Sequence, residues 1–198
     1  MEKEYRISIR HLVEYVYRSG DLDNRFRVAT SMSEGTKIHQ EIQSAYGPED
    51  EKEVFLRHRI VQEGIGFVLE GRCDGLLRRE GEVMIQEIKS TSQDIRELAE
   101  NAYPVHWAQA KCYAYIYAVQ NDLQKMNVEL LYVEKQTKKT ASYLQSWTVD
   151  ELESFVHEVI LAYLPFARLQ IKRMEEKQST ADSVPFPFSD YREGQRKL

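Results

Sequence analysis

Three apolar runs in close succession do most to limit what this chain can fold into: "VFLRHRIVQ", "GFVLEGRCDGLL" and "VMIQEIKS" (54–62, 66–77 and 83–90). Each has the length of a strand. Gly64 punctuates the first junction and "RREGE" the second, which predicts an antiparallel meander. The third run is unusual in carrying charge. Glu87 and Lys89 are two apart and therefore share a face, and Asp74 ends the preceding run. If those strands pair through "RREGE", two acids and a lysine converge in a hairpin otherwise built for burial.

The flanking segments read as helices and further strands. "SIRHLVEYVYRSG" predicts a helix capped by Ser8, with Leu12, Val13, Val16 and Tyr17 as its apolar stripe. "SEGTKIHQEIQSAYG" predicts a second helix ending at Gly47, between the loop-like "DLDNRFRVATS" and "PEDEKE". Pro104 suits the first turn of "PVHWAQAKCYAYIYAVQN". "VELLYVEKQ" and "SYLQSWT" predict two more strands. Thr148 and Glu151 form a capping box for a final helix over 149–177, which Pro165 is expected to kink or split. The order α, α, β, β, β, α, β, β, α implies an α/β fold with a mixed sheet flanked by helices. The length, 198 residues, fits one domain over 1–178, followed by a polar, proline-punctuated linker over 179–198.

Composition narrows the function. No apolar run approaches the roughly 20 residues that span a bilayer, and "MEKEYRISIR" has no apolar signal core. A cytoplasmic protein with no membrane partner is expected. Its two cysteines, Cys73 and Cys112, are too few for a zinc or iron–sulfur site and read as reduced core residues. The formal charge of −5 argues only weakly against nucleic acid, because screening over about 8 Å lets a local basic groove act on its own.

Two converging carboxylates repel unless a proton or a cation lies between them. Mg²⁺ suits such a place, taking one or two carboxylates together with substrate phosphate. It would activate water and neutralise a phosphodiester's charge, with the Lys89 ammonium beside it. Taken alone, the same three residues read equally well as a turn cap and a surface ion pair. Gln109 and Tyr113 share a helical face and could offer an amide and a phenol to a phosphate or base, or be ordinary core. His39 is either an ordinary histidine or a softer metal ligand that would favour Mn²⁺. Arg78 and Arg79 could contact phosphates or simply solubilise a turn.

Read together, these residues resemble the PD-(D/E)XK nuclease superfamily, in particular its RecB-like branch. The elements in order are His39 in "EGTKIH", Asp74 in "GRCDG", Glu87 and Lys89 in "QEIKST", and Gln109 with Tyr113 in "QAKCY". The resemblance implies a restriction-endonuclease-like core and metal-dependent hydrolysis of DNA, single-stranded or branched, in repair or recombination. It makes His39, Asp74, Glu87 and the Ile88 carbonyl the ligands of Mg²⁺ or Mn²⁺, and Lys89 the group that positions the water. Gln109 and Tyr113 would hold DNA or orient Lys89. Relatives with an iron–sulfur cluster carry four cysteines, so none is expected here. The tail "FPFSDYREGQRKL" is similar to the opening of DinG/XPD-type helicases, which implies a nuclease domain standing before a helicase. The alternative is a non-catalytic DNA-binding module that guides such a helicase.

Overall fold

A computed structural model describes residues 3–17, 29–79, 81–97 and 103–181. Most of the polar stretch before the second helix, and the tail from 182 onward, lie outside these residues. The chain divides into two compact units, Met1–Tyr163 and Leu164–Leu198.

The first unit opens with strand β1 (Lys3–Ser8), helix α1 (Ile9–Val16) and helix α2 (Ala29–Ser44). Strands β2 (Glu51–Gln62), β3 (Ile65–Arg79) and β4 (Glu82–Thr91) follow. Helix α3 (Pro104–Gln120) then leads to β5 (Lys125–Glu134), β6 (Thr140–Thr148) and α4 (Val149–Ala181). The meander forms as expected: β3 pairs antiparallel with β2 and with β4. Ser8 caps α1, its Oγ accepting from the His11 amide at 3.2 Å. The capping box forms too, with Thr148 N–H donating to Glu151 Oε2 at 2.8 Å and Glu151 N–H to Thr148 Oγ1 at 3.3 Å. Pro165 does not split α4, which runs unbroken through it. The second helix starts and ends earlier than its sequence suggests, at Ala29 and Ser44.

One strand escapes the sequence reading. β1 pairs parallel with β3, Lys3 opposite Ile65 through Ser8 opposite Glu70. β4 pairs with β3 from Gly75 to Arg79. Because β2 runs along β3 from Ile65 to Leu76 and so overlaps both stretches, β1 and β4 must share the other edge. Between Glu70 and Gly75 the sheet parts along that edge, and Asp74 stands in the parting.

β4 continues past the parting by pairing parallel with β5, Glu87 opposite Leu130 and Lys89 opposite Tyr132. Its side chains alternate between two layers. Ile88 packs with Ile38 of α2 and Val133, both nearly fully buried. Truncating any of the three to Ala would cost about 2–5 kcal/mol for the larger chains and somewhat less for Val133. On the opposite face α3 is buried almost all round, through Trp107, Ala108, Ala110, Cys112, Tyr113, Ala114 and Ile116. Its alanines let it lie close to the sheet, and burial pushes the Cys112 thiol up to about 12, so it stays protonated. Lys111 crosses the Trp147 ring at 3.7 Å and also faces Phe155 of α4.

Candidate active site

The parting in the sheet is where the charged residues meet. Asp74 Oδ2 accepts the Ile88 amide at 2.8 Å, replacing a strand carbonyl as its partner. Asp74 Oδ1 meets His39 Nδ1 at 3.2 Å. That bond raises the imidazole's pKa, although burial opposes it. Gln43, one helical turn after His39, donates to the Asp74 carbonyl at 2.9 Å. Thus α2 holds Asp74 by side chain and main chain together.

Glu87 and Lys89 point to the other layer. Lys89 Nζ donates to Glu87 Oε1 at 2.7 Å and to Gln109 Oε1 of α3 at 3.2 Å. Glu87 is only 2% exposed, and its second oxygen is buried without a hydrogen-bond partner. Burial pushes its carboxyl up to about 7; Lys89 opposes the shift and Asp74 adds to it. Tyr113, 3% exposed, closes the floor behind them. It lies so near the β3 backbone that a Cβ on Gly71 would meet its hydroxyl at 2.7 Å. Any residue but glycine there would displace the ring.

A cleft of about 260 Å³ opens over these groups, lined by His39, Ile88, Lys89, Ser90 and Gln109. It is also lined by Arg10, Glu14 and His106, which the sequence reading did not single out. Arg10 and Glu14 pair at 2.7 Å on α1. Their i, i+4 spacing was visible in the sequence, but not the direction in which that face turns. His106 meets the Tyr132 hydroxyl at 2.8 Å, and burial, with Lys89 nearby, lowers its pKa to about 3. It is therefore neutral at ordinary pH.

Arg78 and Arg79 are not brought to the cleft. Arg78 donates to Glu51 Oε1 at 2.8 Å and to the Glu49 carbonyl at 2.6 Å. Arg79 donates to Asp50 Oδ1 at 2.6 Å. Both close the far end of the hairpin.

Among the described residues, no three His, Cys, Asp or Glu side chains form a ready-made metal cluster. Asp74 spends one oxygen on His39 and the other on the Ile88 amide, and Glu87 spends one on Lys89. The remaining Glu87 oxygen is the test of fit. A buried acid oxygen with no donor, next to a second acid, is a place a cation would relieve, so this donor set suits a divalent ion.

A mixed six-stranded sheet flanked by helices, with an acid-x-lysine pair at a parting of the sheet, defines a restriction-endonuclease-like core. The chain belongs to the PD-(D/E)XK nuclease superfamily, whose family model matches residues 13–193. Members of that superfamily use divalent metal ions. The fold is similar to that of SSO0001, at 18% identity and a TM-score of 0.54, over 81% of this chain and 78% of that one. It is also similar to LHK-Exo, an alkaline exonuclease from Laribacter hongkongensis, at 13% identity and a TM-score of 0.54, over 89% of this chain and 94% of that one. The complex of LHK-Exo with dAMP gives 14% identity and a TM-score of 0.55, over 90% and 94%. Among curated proteins, none matches the chain. Among the described residues, no helix is long and apolar enough to cross a membrane.

Proposed function

We propose that this chain is a metal-dependent deoxyribonuclease that hydrolyses phosphodiester bonds of single-stranded or branched DNA. The observation that carries this reading is the buried, unpartnered Glu87 oxygen beside Asp74 and Lys89. His39, Asp74, Glu87 and the Ile88 carbonyl would hold Mg²⁺ or Mn²⁺. When bound, such an ion polarises the scissile phosphate and lowers the pKa of a water. Lys89, fixed between Glu87 and Gln109, positions that water and meets charge developing on phosphate. Gln109 is a positioning residue for Lys89, and Tyr113 supports both from beneath. The likeness to an alkaline exonuclease supports action on DNA.

The reading extends to the chain's setting. The order of His39, Asp74, Glu87, Lys89, Gln109 and Tyr113 supports the RecB-like branch. The tail's resemblance supports a nuclease domain over 1–178 working with a DinG/XPD-type helicase in cytoplasmic DNA repair or recombination. The test is incubation with end-labelled single strands, duplexes and forks, with Mg²⁺ or Mn²⁺ and with chelator. Product is expected only with the ion, and only when Lys89 is intact. Equal cutting by Lys89→Ala, or cutting in chelator, would falsify these roles.

A further inference from the structure

A second cavity, of about 320 Å³, lies on the α2 side of the sheet. Lys37 and Glu41 of α2, Ser92 just past β4, and Lys135, Gln136 and Lys138 of the β5–β6 turn line it. Three lysines against one glutamate leave the lining at +2, on a chain whose formal charge is −5. Glu41 is engaged by Lys138 at 3.3 Å. Among the described residues, Lys37 and Lys135 have no ion-pair partner. The turn that presents two of these lysines is well fixed. Glu134 N–H donates to the Lys139 carbonyl, Lys138 N–H to the Glu134 carbonyl and Lys135 N–H to the Thr91 carbonyl, each at 2.9 Å. Lys138 holds a φ of 59°, where Gly or Asn would sit at less cost.

This cavity adjoins the cleft. Ser90 lines the cleft and Ser92 lines the lysine cavity, two residues and about 7 Å apart along the chain. His39 and Lys37, two residues apart on α2, likewise line one each. A strand seated in the cleft therefore has positive charge waiting within a few nucleotides. Lysine ammoniums, as compact point charges, suit phosphate oxygens, and the Ser92 hydroxyl and Gln136 amide add neutral donors.

We infer that the cavity of Lys37, Lys135 and Lys138 is a backbone-phosphate subsite for the nucleic-acid strand whose scissile bond lies in the cleft. This rests on the nuclease reading above. The subsite neutralises phosphates without reading bases, so it adds affinity and salt dependence rather than sequence preference.

The test measures binding of an end-labelled single-stranded oligonucleotide to the full chain, in chelator, across a salt series. The triple variant K37Q/K135Q/K138Q should bind on the order of tenfold more weakly, with the slope of log K against log salt reduced by about 2. Lys172→Gln, an exposed lysine on α4, should match wild type. Wild-type affinity and slope in the triple variant would overturn the inference, as would an equal loss in Lys172→Gln. Inorganic phosphate forms a separate arm. If it binds and depends on these lysines while the oligonucleotide slope does not, the cavity serves a free phosphate and the inference fails. Binding is read without cleavage, so a wild type that cuts nothing with Mg²⁺ or Mn²⁺ sinks the hydrolase reading separately.

Discussion

At the turn end of the β3–β4 pair, the Asp50 side chain is 1% exposed and fully matched. It accepts from Arg79 at 2.6 Å, from the Arg78 amide at 2.9 Å and from the Gly47 amide at 2.8 Å. Chiefly through Arg79, its carboxyl is held down at about 2. At the other end the Glu87 side chain is 2% exposed but has one partner for two oxygens, and chiefly through burial its carboxyl rises to about 7. Two acids thus carry opposite shifts at the two ends of the strand pair. Burial alone does not mark a site; burial with a valence left open does. Asp50 fastens a corner, whereas Glu87 keeps an oxygen in reserve.

The largest expected effect is on activity at the open end. Glu87→Gln or Lys89→Ala should each slow cleavage at least about a hundredfold, measured as product formed from labelled DNA, with the fold intact by circular dichroism. Full activity in either variant would erase the distinction between the two ends.

Next in size is a pH effect on stability. Glu87 has a folded pKa near 7, above the ordinary glutamate value of 4.5, chiefly because it is buried. The folded state therefore binds more protons between those values, and the Glu87 contribution to stability is full below about 4.5 and is lost as pH rises through 7. The shift corresponds to roughly 3 kcal/mol. Denaturant melts across this range should show the fall in wild type but not in Glu87→Gln. Added Mg²⁺ or Mn²⁺ should restore stability at pH 8 in wild type alone, by about 2–3 kcal/mol at a hundredfold excess over Kd.

The closed end should behave in the reverse sense. Asp50→Ala strands the Arg79 guanidinium and two amides, and should cost about 2 kcal/mol while leaving cleavage unchanged. The Asp50 contribution has the opposite pH sign. Its folded pKa is lowered, so the stability is present above about 4 and is lost as pH falls through 2. Acid melts of wild type and Asp50→Asn should converge at low pH.

The smallest effects belong to Arg78 and Arg79. Arg79 is 55% exposed, and exposed ion pairs contribute less than about 1 kcal/mol. Arg78→Gln and Arg79→Gln should shift denaturant midpoints slightly and leave the salt slope of DNA binding as it is. A slope that falls with either variant would return these arginines to the DNA-contacting surface.

The sequence discloses the site better than its surroundings, for a physical reason. Glu87 and Lys89 declare a shared face by strand alternation, and Gln109 and Tyr113 by helical spacing; both are local rules. The meander is local too. β1 was missed because its pairing is parallel and reaches more than 60 residues along the chain, which no short pattern encodes. Arg10, Glu14 and His106 were missed similarly: their spacing was plain, but only packing turns them toward Lys89. For Arg78 and Arg79 the sequence left phosphate contact and a plain turn charge open, because the acids that answer them lie in "PEDEKE", which reads as a solvent loop and instead forms their clasp.

The alternation along β4 has one more consequence. Ile88 belongs to the apolar layer of Ile38 and Val133, while its neighbours on either side carry the charges. A slip of β4 by one residue against β5 would press Glu87 and Lys89 into hydrocarbon and hang Ile88 over the cleft. A misthreaded molecule would therefore lose cohesion and chemistry together. The apolar layer thereby also fixes the register of the charged one.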